Sequence, residues 1–410
     1  MFSVCQIFEG QISFRSCTEP LYERVIVTAA ISAIISLILP RKAAHSTTII
    51  WIVFITHFVS SLAVSSVVVE YSFQHTFFLV LWTAVFALAS RLSTLISFQV
   101  PRIRFSRTLF TILIVFLFSF VFLSVYMHFG FENIPSLFDV YGRRSEYKKD
   151  IYESNSIIIG YIITIGGFSV APIIMIYAYK AFSEKNYLKS SLLFIMSFII
   201  SLIIFSATGL KSVAFSSFAI LAFSTFLNKK GYEVDRFFSV FSLFLMAIFA
   251  IYIYDMNNFI FSHLFRRVFL MPGMVTNFYM DFIGLWNIDS LEKAPLVIDK
   301  VYFNSDGSAN SGTIGSGLAM YGTAGIAMNI IIICVCLIFV DNLTKHIKPY
   351  ISMSVFVPAA YAFSNSAQTT VILSYGLMVT TIILYLSDGE FGRNSALLKE
   401  RPRALSQEHK

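Results

Sequence analysis

Long apolar runs recur along this chain and are separated by short polar stretches. A helix needs about 20 apolar residues to cross the hydrocarbon core of a bilayer. The runs therefore predict an all-α polytopic membrane protein with about eleven spans in a single integral membrane domain, residues 1–387, followed by a polar and basic tail, 388–410. The predicted spans are 24–39, 48–69, 76–97, 107–129, 157–182, 190–207, 212–228, 237–254, 313–340, 351–365 and 367–387.

Composition supports this interpretation. The 410 residues are 57% hydrophobic and 13% charged, whereas a soluble domain carries about 25% charged residues. The apolar excess repeats along nearly the whole chain, which excludes a soluble protein with one anchor. The net charge of +7 does not indicate nucleic-acid binding, because the basic residues lie in short loops between apolar runs.

The distribution of charge predicts the orientation. One set of loops, counted with the C-terminal tail and with Lys180 near the end of a span, holds 18 Lys and Arg and 8 acids, and the opposite side holds 11 Lys and Arg and 15 acids. Cytoplasmic loops carry the excess of Lys and Arg, so we expect the N-terminus outside and the C-terminus inside. Two outer segments, 130–156 and 255–312, are long, and long connections are often functional.

Three clusters of cations lie on the predicted outer side, where the insertion rule depletes them. They occur in VYGRRSEYKK (140–149), in the tight turn TGLKS (208–212) and in SHLFRRVFLMPG (262–273). Arginine forks match phosphate oxygens, so the clusters favour a site for a lipid-linked phosphate or diphosphate. Nonspecific binding of anionic headgroups and pairing with outer acids stay open as alternatives. The clustered residues are Arg143, Arg144, Lys148 and Lys149 in the first, Lys211 in the second, and His263, Arg266 and Arg267 in the third.

The glycine-rich stretch ANSGTIGSGLAMYGTAGI, 309–326, opens the ninth predicted span. A helix N-terminus presents free amides to an anion, and small residues such as Gly315 allow close approach. Packing of helices through small residues is the alternative. Nearby, Tyr279 and Asp281 are suited to orienting a hydroxyl group. Several outer carboxylates and His263 are candidates for a general base, and the choice between them stays open.

Histidines and cysteines show no spacing typical of a metal site, so we expect neither a metal nor another cofactor. Cys334 and Cys336 lie in an apolar run. A disulfide between Cys5 and Cys17 is possible if the N-terminus faces an oxidising compartment.

In architecture the chain resembles the O-antigen polymerase family, the Wzy-type oligosaccharide repeat-unit polymerases, over nearly its whole length. The resemblance is local in VYGRR (140–144), TGLKS (208–212), RRVFLMPGMVTNFYMDF (266–282) and ANSGTIGSGLAMYGTAGI (309–326). It implies an inverting, metal-independent glycosyltransferase of GT-C-like architecture in the bacterial inner membrane, with its active site facing the periplasm.

The resemblance further implies that the substrates are two undecaprenyl-diphosphate-linked glycans, a donor and an acceptor. The growing chain is transferred to the incoming unit and undecaprenyl diphosphate leaves. A polysaccharide chain-length regulator is implied as a further partner. The diphosphate clamp and catalytic groups would be Arg143, Arg144, Lys211, Arg266, Arg267 and His263, and the glycan contacts Tyr141, Tyr279, Asp281, Asn310 and Gly315.

Two other functions remain. An O-antigen ligase shares the architecture and needs a catalytic histidine in the large outer loop, for which His263 is the candidate. A transporter of the lipid-linked unit, a flippase, predicts internal repeats and charged residues within the spans; apart from Arg91, the predicted spans hold almost no charge.

Overall fold

The computed structural model describes most of the apolar part of the chain. The described residues are 45–67, 73–103, 105–130, 141–153, 156–229, 271–286, 290–304 and 307–387, together with Ile26, Ala30 and Phe391. Regular structure within these ranges is helical throughout, with no strand. Seven helices among the described residues are long and apolar enough to cross a membrane, as expected for a polytopic membrane protein.

We number the helices in chain order. They are α1 (Thr48–Val67), α2 (Phe73–Leu95), α3 (Arg107–Phe129), α4 (Tyr141–Glu153), α5 (Ile157–Ile165), α6 (Ala171–Ser183), α7 (Tyr187–Thr208), α8 (Lys211–Lys229), α9 (Met271–Ile283), α10 (Ala294–Phe303), α11 (Thr313–Thr344), α12 (Pro349–Val355), α13 (Val357–Asn365), α14 (Gln368–Leu373) and α15 (Leu377–Leu386).

The seven membrane-length helices coincide with seven predicted spans. They are Phe73–Leu95, Arg107–Phe129, Ile157–Ser183, Tyr187–Thr208, Lys211–Asn228, Thr313–Thr344 and Gln368–Leu386. Helix α1 occupies the predicted span 48–69, and α12 and α13 together occupy 351–365. The predicted span 237–254, nearly all of 24–39, the Cys5–Cys17 pair and all of the tail except Phe391 lie outside the described residues. The total of eleven spans therefore stays a prediction.

The outer surface of the bundle is apolar, as lipid contact requires. On α3, Leu109, Phe116 and Leu123 are each about half exposed, and Met127 is 83% exposed. In water such a surface would be a large uncovered apolar patch. In a bilayer these side chains meet lipid tails, while the helix satisfies its own backbone hydrogen bonds.

Loops predicted to share one side of the membrane meet at one end of the bundle, which we call the first end. Lys345 Nζ donates to Phe98 O at 3.0 Å. The backbone amides of Phe105 and Lys348 donate to Leu386 O and Phe391 O. The segments 98–106, 345–348 and 386–391 are therefore adjacent, in agreement with the predicted alternation of loops.

Asp341 joins two helices at the first end. Its Oδ1 accepts from Thr47 N at 2.9 Å and its Oδ2 from Thr47 Oγ1 at 2.7 Å. Thr47 directly precedes α1, so a carboxylate from α11 caps the N-terminus of α1. The residue is only 8% exposed, and His45 Nδ1 lies 3.7 Å from its Oδ2. A helix N-terminus stabilises a nearby anion, which explains why a carboxylate is tolerated there.

Helix α11 contains a sharp reversal. Tyr321 (φ −148°, ψ 32°) and Gly322 (φ 57°, ψ −140°) leave the helical conformation. A Cβ on Gly325 would lie 2.1 Å from Gly317 O, although in a straight helix residues eight apart are separated by about 12 Å along the axis. The limb 313–320 therefore folds back against the limb that follows, and glycine allows the two backbones to touch.

Amide and hydroxyl side chains hold the limb 313–320 in place. Asn329 Nδ2 donates to Thr313 O at 3.0 Å, and Ser316 Oγ donates to Gln368 Oε1 at 3.2 Å. Gln368 Nε2 in turn donates to Asn329 Oδ1. Asn329 and Gln368 are almost fully buried. Irregular backbone at membrane depth is tolerated only when buried in protein or lining a cavity, and these contacts bury it in protein.

The tip of this hairpin lies at the opposite end of the bundle, the second end. Leu291 N donates to Ala319 O at 2.8 Å, and Thr323 Oγ1 donates to Leu285 O at 3.0 Å. The ring centroid of Trp286 is 5.4 Å from that of Phe78, in the first turns of α2. The segment after α9 therefore covers this end.

Candidate functional site

Helix α4 lies within the segment 130–156, which the hydropathy pattern treats only as a long outer loop. Arg143, Tyr147 and Ile151 recur every fourth residue and so share one face of α4. Tyr147 and Ile151 pack against the core of the bundle, whereas Glu146, Lys149 and Asp150 are exposed. The helix therefore lies on the second end with the Arg143 face turned inward.

The end of α7 supplies the acceptors for the arginines. Gly209 adopts the left-handed conformation (φ 64°, ψ 20°), and its N–H donates to Phe205 O. The last four carbonyls of a helix lack partners within that helix, so the carbonyls at the end of α7 need hydrogen-bond donors from elsewhere. Glycine takes this conformation without steric cost, and Gly209 lies in the tight turn between α7 and α8 that TGLKS (208–212) predicts.

Both arginines of the first cluster bind this helix end. Arg143 Nε donates to Ser206 O at 2.9 Å, and Arg144 Nε donates to Gly209 O at 3.2 Å. The negative end of the helix dipole favours cations at this place. The Gly209 carbonyl that Arg144 binds lies two residues before Lys211 in the chain. The structure therefore brings together two predicted clusters that are more than 60 residues apart in sequence.

We call Arg143, Arg144 and Lys211 the cation cluster. Arg143 and Lys211 have different electrostatic surroundings. Arg143 Nη1 lies 3.1 Å from Glu146 Oε2; the arginine side chain is 13% exposed and the glutamate side chain 64% exposed. Because its glutamate is largely in solvent, a pair of this kind contributes little to stability. Lys211 is the first residue of α8 and is partly buried. A helix N-terminus is positive, so the helix dipole does not stabilise a lysine at this position.

The third cluster lies beyond the described residues. His263, Arg266 and Arg267 fall in the segment 230–270, which the structure does not describe, so their relation to the cation cluster stays a prediction. Tyr141 is the first residue of α4, one turn before Arg144.

Three of the predicted glycan contacts lie on α9, on α11 and in the segment that precedes α11. Tyr279 is 1% exposed, its hydroxyl donates to Ala309 O at 3.0 Å, and burial raises the pKa of that hydroxyl. A Cβ on Gly315 would lie 2.9 Å from Cγ of Tyr279. Asn310, next to Ala309, is exposed and accepts from Ser308 Oγ at 2.9 Å. These contacts give Tyr279 and Gly315 a packing role, and only Asn310 faces outward.

Asp281 has a separate environment. It is exposed, and its Oδ2 accepts from the Tyr302 hydroxyl at 2.6 Å. The ring of Tyr302 stacks on Phe278 with centroids 4.2 Å apart. Asp281 therefore links α9 to α10 at the surface, on a different side of α9 from Tyr279.

The hydropathy pattern missed two tyrosines near the cation cluster. Tyr147 is half-buried on the same face of α4 as Arg143, and its ring centroid is 5.8 Å from that of Phe129. Tyr375 lies at the break between α14 and α15, with its ring centroid 4.5 Å from that of Phe168. For Tyr147 a signal exists in the sequence, since Tyr147 and Ile151 are apolar positions four apart in an otherwise charged stretch. For Tyr375 there is none, because the break occurs within one apolar run.

Within the described residues, no three histidine, cysteine or acidic side chains are grouped so that they could hold a metal ion. The chemistry that the described residues offer is binding of an anion by guanidinium, ammonium and backbone amide groups. No family model, no curated protein and no solved structure matches this chain.

Proposed function

We propose that this protein is an inner-membrane polymerase of undecaprenyl-diphosphate-linked oligosaccharide repeat units, a metal-independent, inverting glycosyltransferase of GT-C-like architecture. The observation that carries the proposal is the cation cluster, in which Arg143 and Arg144 bind the carbonyls of Ser206 and Gly209 in the turn that leads to Lys211, at one end of the described helical bundle. In the predicted orientation the second end faces the periplasm.

The chemistry follows from the charges. Departure of undecaprenyl diphosphate places negative charge on phosphate oxygens, and fixed cations stabilise that charge because they need no reorganisation during the reaction. The α8 N-terminus adds backbone amides that point toward an anion. The cluster would therefore hold the diphosphate of the donor while a base, for which His263 remains a candidate, takes the proton of the acceptor hydroxyl.

A lipid-linked oligosaccharide transporter is the second candidate, and one observation favours it. Helix α11 reverses at Tyr321–Gly322, and the last apolar run is interrupted between α14 and α15. Discontinuous helices of this kind line the substrate sites of many transporters. The buried amides Asn329 and Gln368 would then lie on the transport path.

A deletion strain separates the candidates. Loss of a polymerase leaves lipid A-core carrying a single repeat unit. Loss of a ligase leaves bare core with polymer still on the lipid carrier, and loss of a transporter leaves bare core with repeat units held on the cytoplasmic side. A normal polysaccharide ladder in the deletion strain contradicts all three functions.

A further inference from the structure

Two parts of the chain form a cap over the second end. They are residues 282–286, at and after the end of α9, and residues 319–323, at the tip of the α11 hairpin. Thr323 Oγ1 donates to Leu285 O at 3.0 Å, and the segment that follows residue 286 donates a backbone N–H to Ala319 O at 2.8 Å. Because these hydrogen bonds join the two parts, their exposed side chains belong to one surface.

The cap exposes four large side chains, each between 42% and 61% exposed. They are Phe282, Trp286, Met320 and Tyr321. Trp286 is the most exposed of the four, whereas the other two tryptophans of the chain, Trp51 and Trp82, are buried. An exposed apolar patch of this kind marks an interaction surface.

The apolar surface of the cap continues the lipid-facing surface of α2. On that helix the exposed apolar residues Phe73, Phe77 and Leu81 recur every fourth residue and share one face. The ring centroid of Trp286 lies 5.4 Å from that of Phe78, so the indole stands beside the first two turns of α2. Trp286 therefore lies at the edge of a surface that meets lipid, at the level where the membrane-length helix begins.

Helix α11, which packs against α2, leads to the same place. Its exposed apolar residues Met328, Ile331 and Val335 follow one another at spacings of three and four, as on a single lipid-facing face. Met320 and Tyr321 lie about two turns beyond Met328, at the hairpin tip. The cap is thus the place where two lipid-facing faces end.

We propose that the cap binds the membrane surface at the second end, with Phe282, Trp286 and Tyr321 in the layer between the lipid headgroups and the acyl chains. Tryptophan and tyrosine are enriched in this layer because an apolar ring carries one polar group. Since the cap joins the end of α9 to the tip of α11, this contact sets the height of both relative to the bilayer. The partner is a lipid surface, and the inference holds for a polymerase, a ligase or a transporter alike.

Quenching of tryptophan fluorescence by brominated lipids tests the proposal. The full-length protein is reconstituted into phosphatidylcholine vesicles whose lipids carry bromine either near the headgroup or near the end of the acyl chains. Subtracting the fluorescence of Trp286→Phe from that of wild type gives the signal of Trp286 alone, and no buried residue is changed. We expect this signal to lose most intensity with the shallow bromine, less with the deep bromine, and least with iodide added to the water on both sides of the vesicle.

Leu81→Trp in the Trp286→Phe protein supplies the matched control. Leu81 lies on the lipid-facing face of α2, eight residues or about 12 Å beyond Phe73, so its signal should be lost most with the deep bromine. Three results overturn the proposal. Strongest quenching of Trp286 by iodide places the cap in water, and strongest quenching by the deep bromine places it in the hydrocarbon core. Quenching by none of the three reagents means that protein, rather than lipid, covers the cap.

Discussion

The two ends of the bundle each place charged side chains against a helix terminus, but they do so differently. At the first end Asp341 caps the N-terminus of α1, and both of its oxygens accept from Thr47. At the second end Arg143 and Arg144 bind carbonyls at the C-terminus of α7. In both places the sign of the charge suits the helix dipole.

The difference lies in exposure and in the neighbouring charge. Asp341 is 8% exposed, and its oxygens are used within the protein, so the contact is complete as a structural joint. Arg144 is only partly buried, and Lys211, two residues after the Gly209 carbonyl that Arg144 binds, lies at the positive end of α8. The second end therefore concentrates positive charge beyond what capping of α7 requires. We infer that Asp341 contributes mainly to stability and the cation cluster mainly to function.

The strongest test of this comparison is Arg144→Ala. We expect polymer formation to fall by at least about 100-fold, the order of loss found when one group that stabilises transition-state charge is removed. The measurement is the polysaccharide ladder from a deletion strain that carries the variant, with the protein level checked in membranes. Arg144→Lys keeps the charge but not the planar fork, so it should restore activity only in part.

Lys149→Ala is the matched control for this prediction. Lys149 is an exposed cation on the same helix, and its removal changes the net charge equally, so activity should stay near that of wild type. Full activity of Arg144→Ala would remove the residue from the diphosphate site.

At the first end the expected effect is on stability. Asp341→Leu leaves Thr47 N and Thr47 Oγ1 without their acceptor, which should lower the free energy of unfolding by about 2–4 kcal/mol. Thr47→Val loses only the hydroxyl contact and should cost about 1–2 kcal/mol. Denaturant unfolding in detergent measures both. A stable Asp341→Leu protein without activity would show instead that the first end takes part in function.

The turn at Gly209, between α7 and α8, has a smaller expected effect on stability. Gly209→Ala places a Cβ at a left-handed position (φ 64°) and should destabilise the protein by about 1 kcal/mol. Gly142→Ala is the control, because nothing lies within 4 Å of the added Cβ, and it should cause no loss. Equal stability of the two variants in the same unfolding assay would mean that the turn relaxes freely.

The smallest effect concerns pH. The pKa of Tyr147 is raised to about 12 in the folded protein from an ordinary value of 10.0, so the unfolded chain loses this proton first. The stability linked to Tyr147 is therefore present below pH 10 and is lost as pH rises toward about 12. Tyr147→Phe should show a shallower loss of stability between pH 10 and 12 in alkaline unfolding. An unchanged slope would place the hydroxyl in a more exposed setting.

Much of the bundle could be predicted because a membrane span is a local property. About 20 apolar residues in succession suffice, and the helices α2, α3 and α7 show this pattern clearly. Helix α4 was not predicted, since only Tyr147 and Ile151 mark its inner face among charged residues. The reversal within α11 was not predicted either, because the apolar run continues through it and the contact between Gly317 and Gly325 is tertiary.

For the candidate site, the sequence by itself determined which cations stand out, because charge in loops is read directly from the chain. It did not determine that Arg144 lies beside Lys211 or that Tyr279 is a core residue. Those relations depend on which helix ends meet, and helix ends meet through packing of side chains far apart in sequence. The sequence alone thus determined on which loops the charges lie. The approach of α4, with Arg143, Arg144 and Tyr147, to the turn before Lys211 was decided only by the tertiary structure.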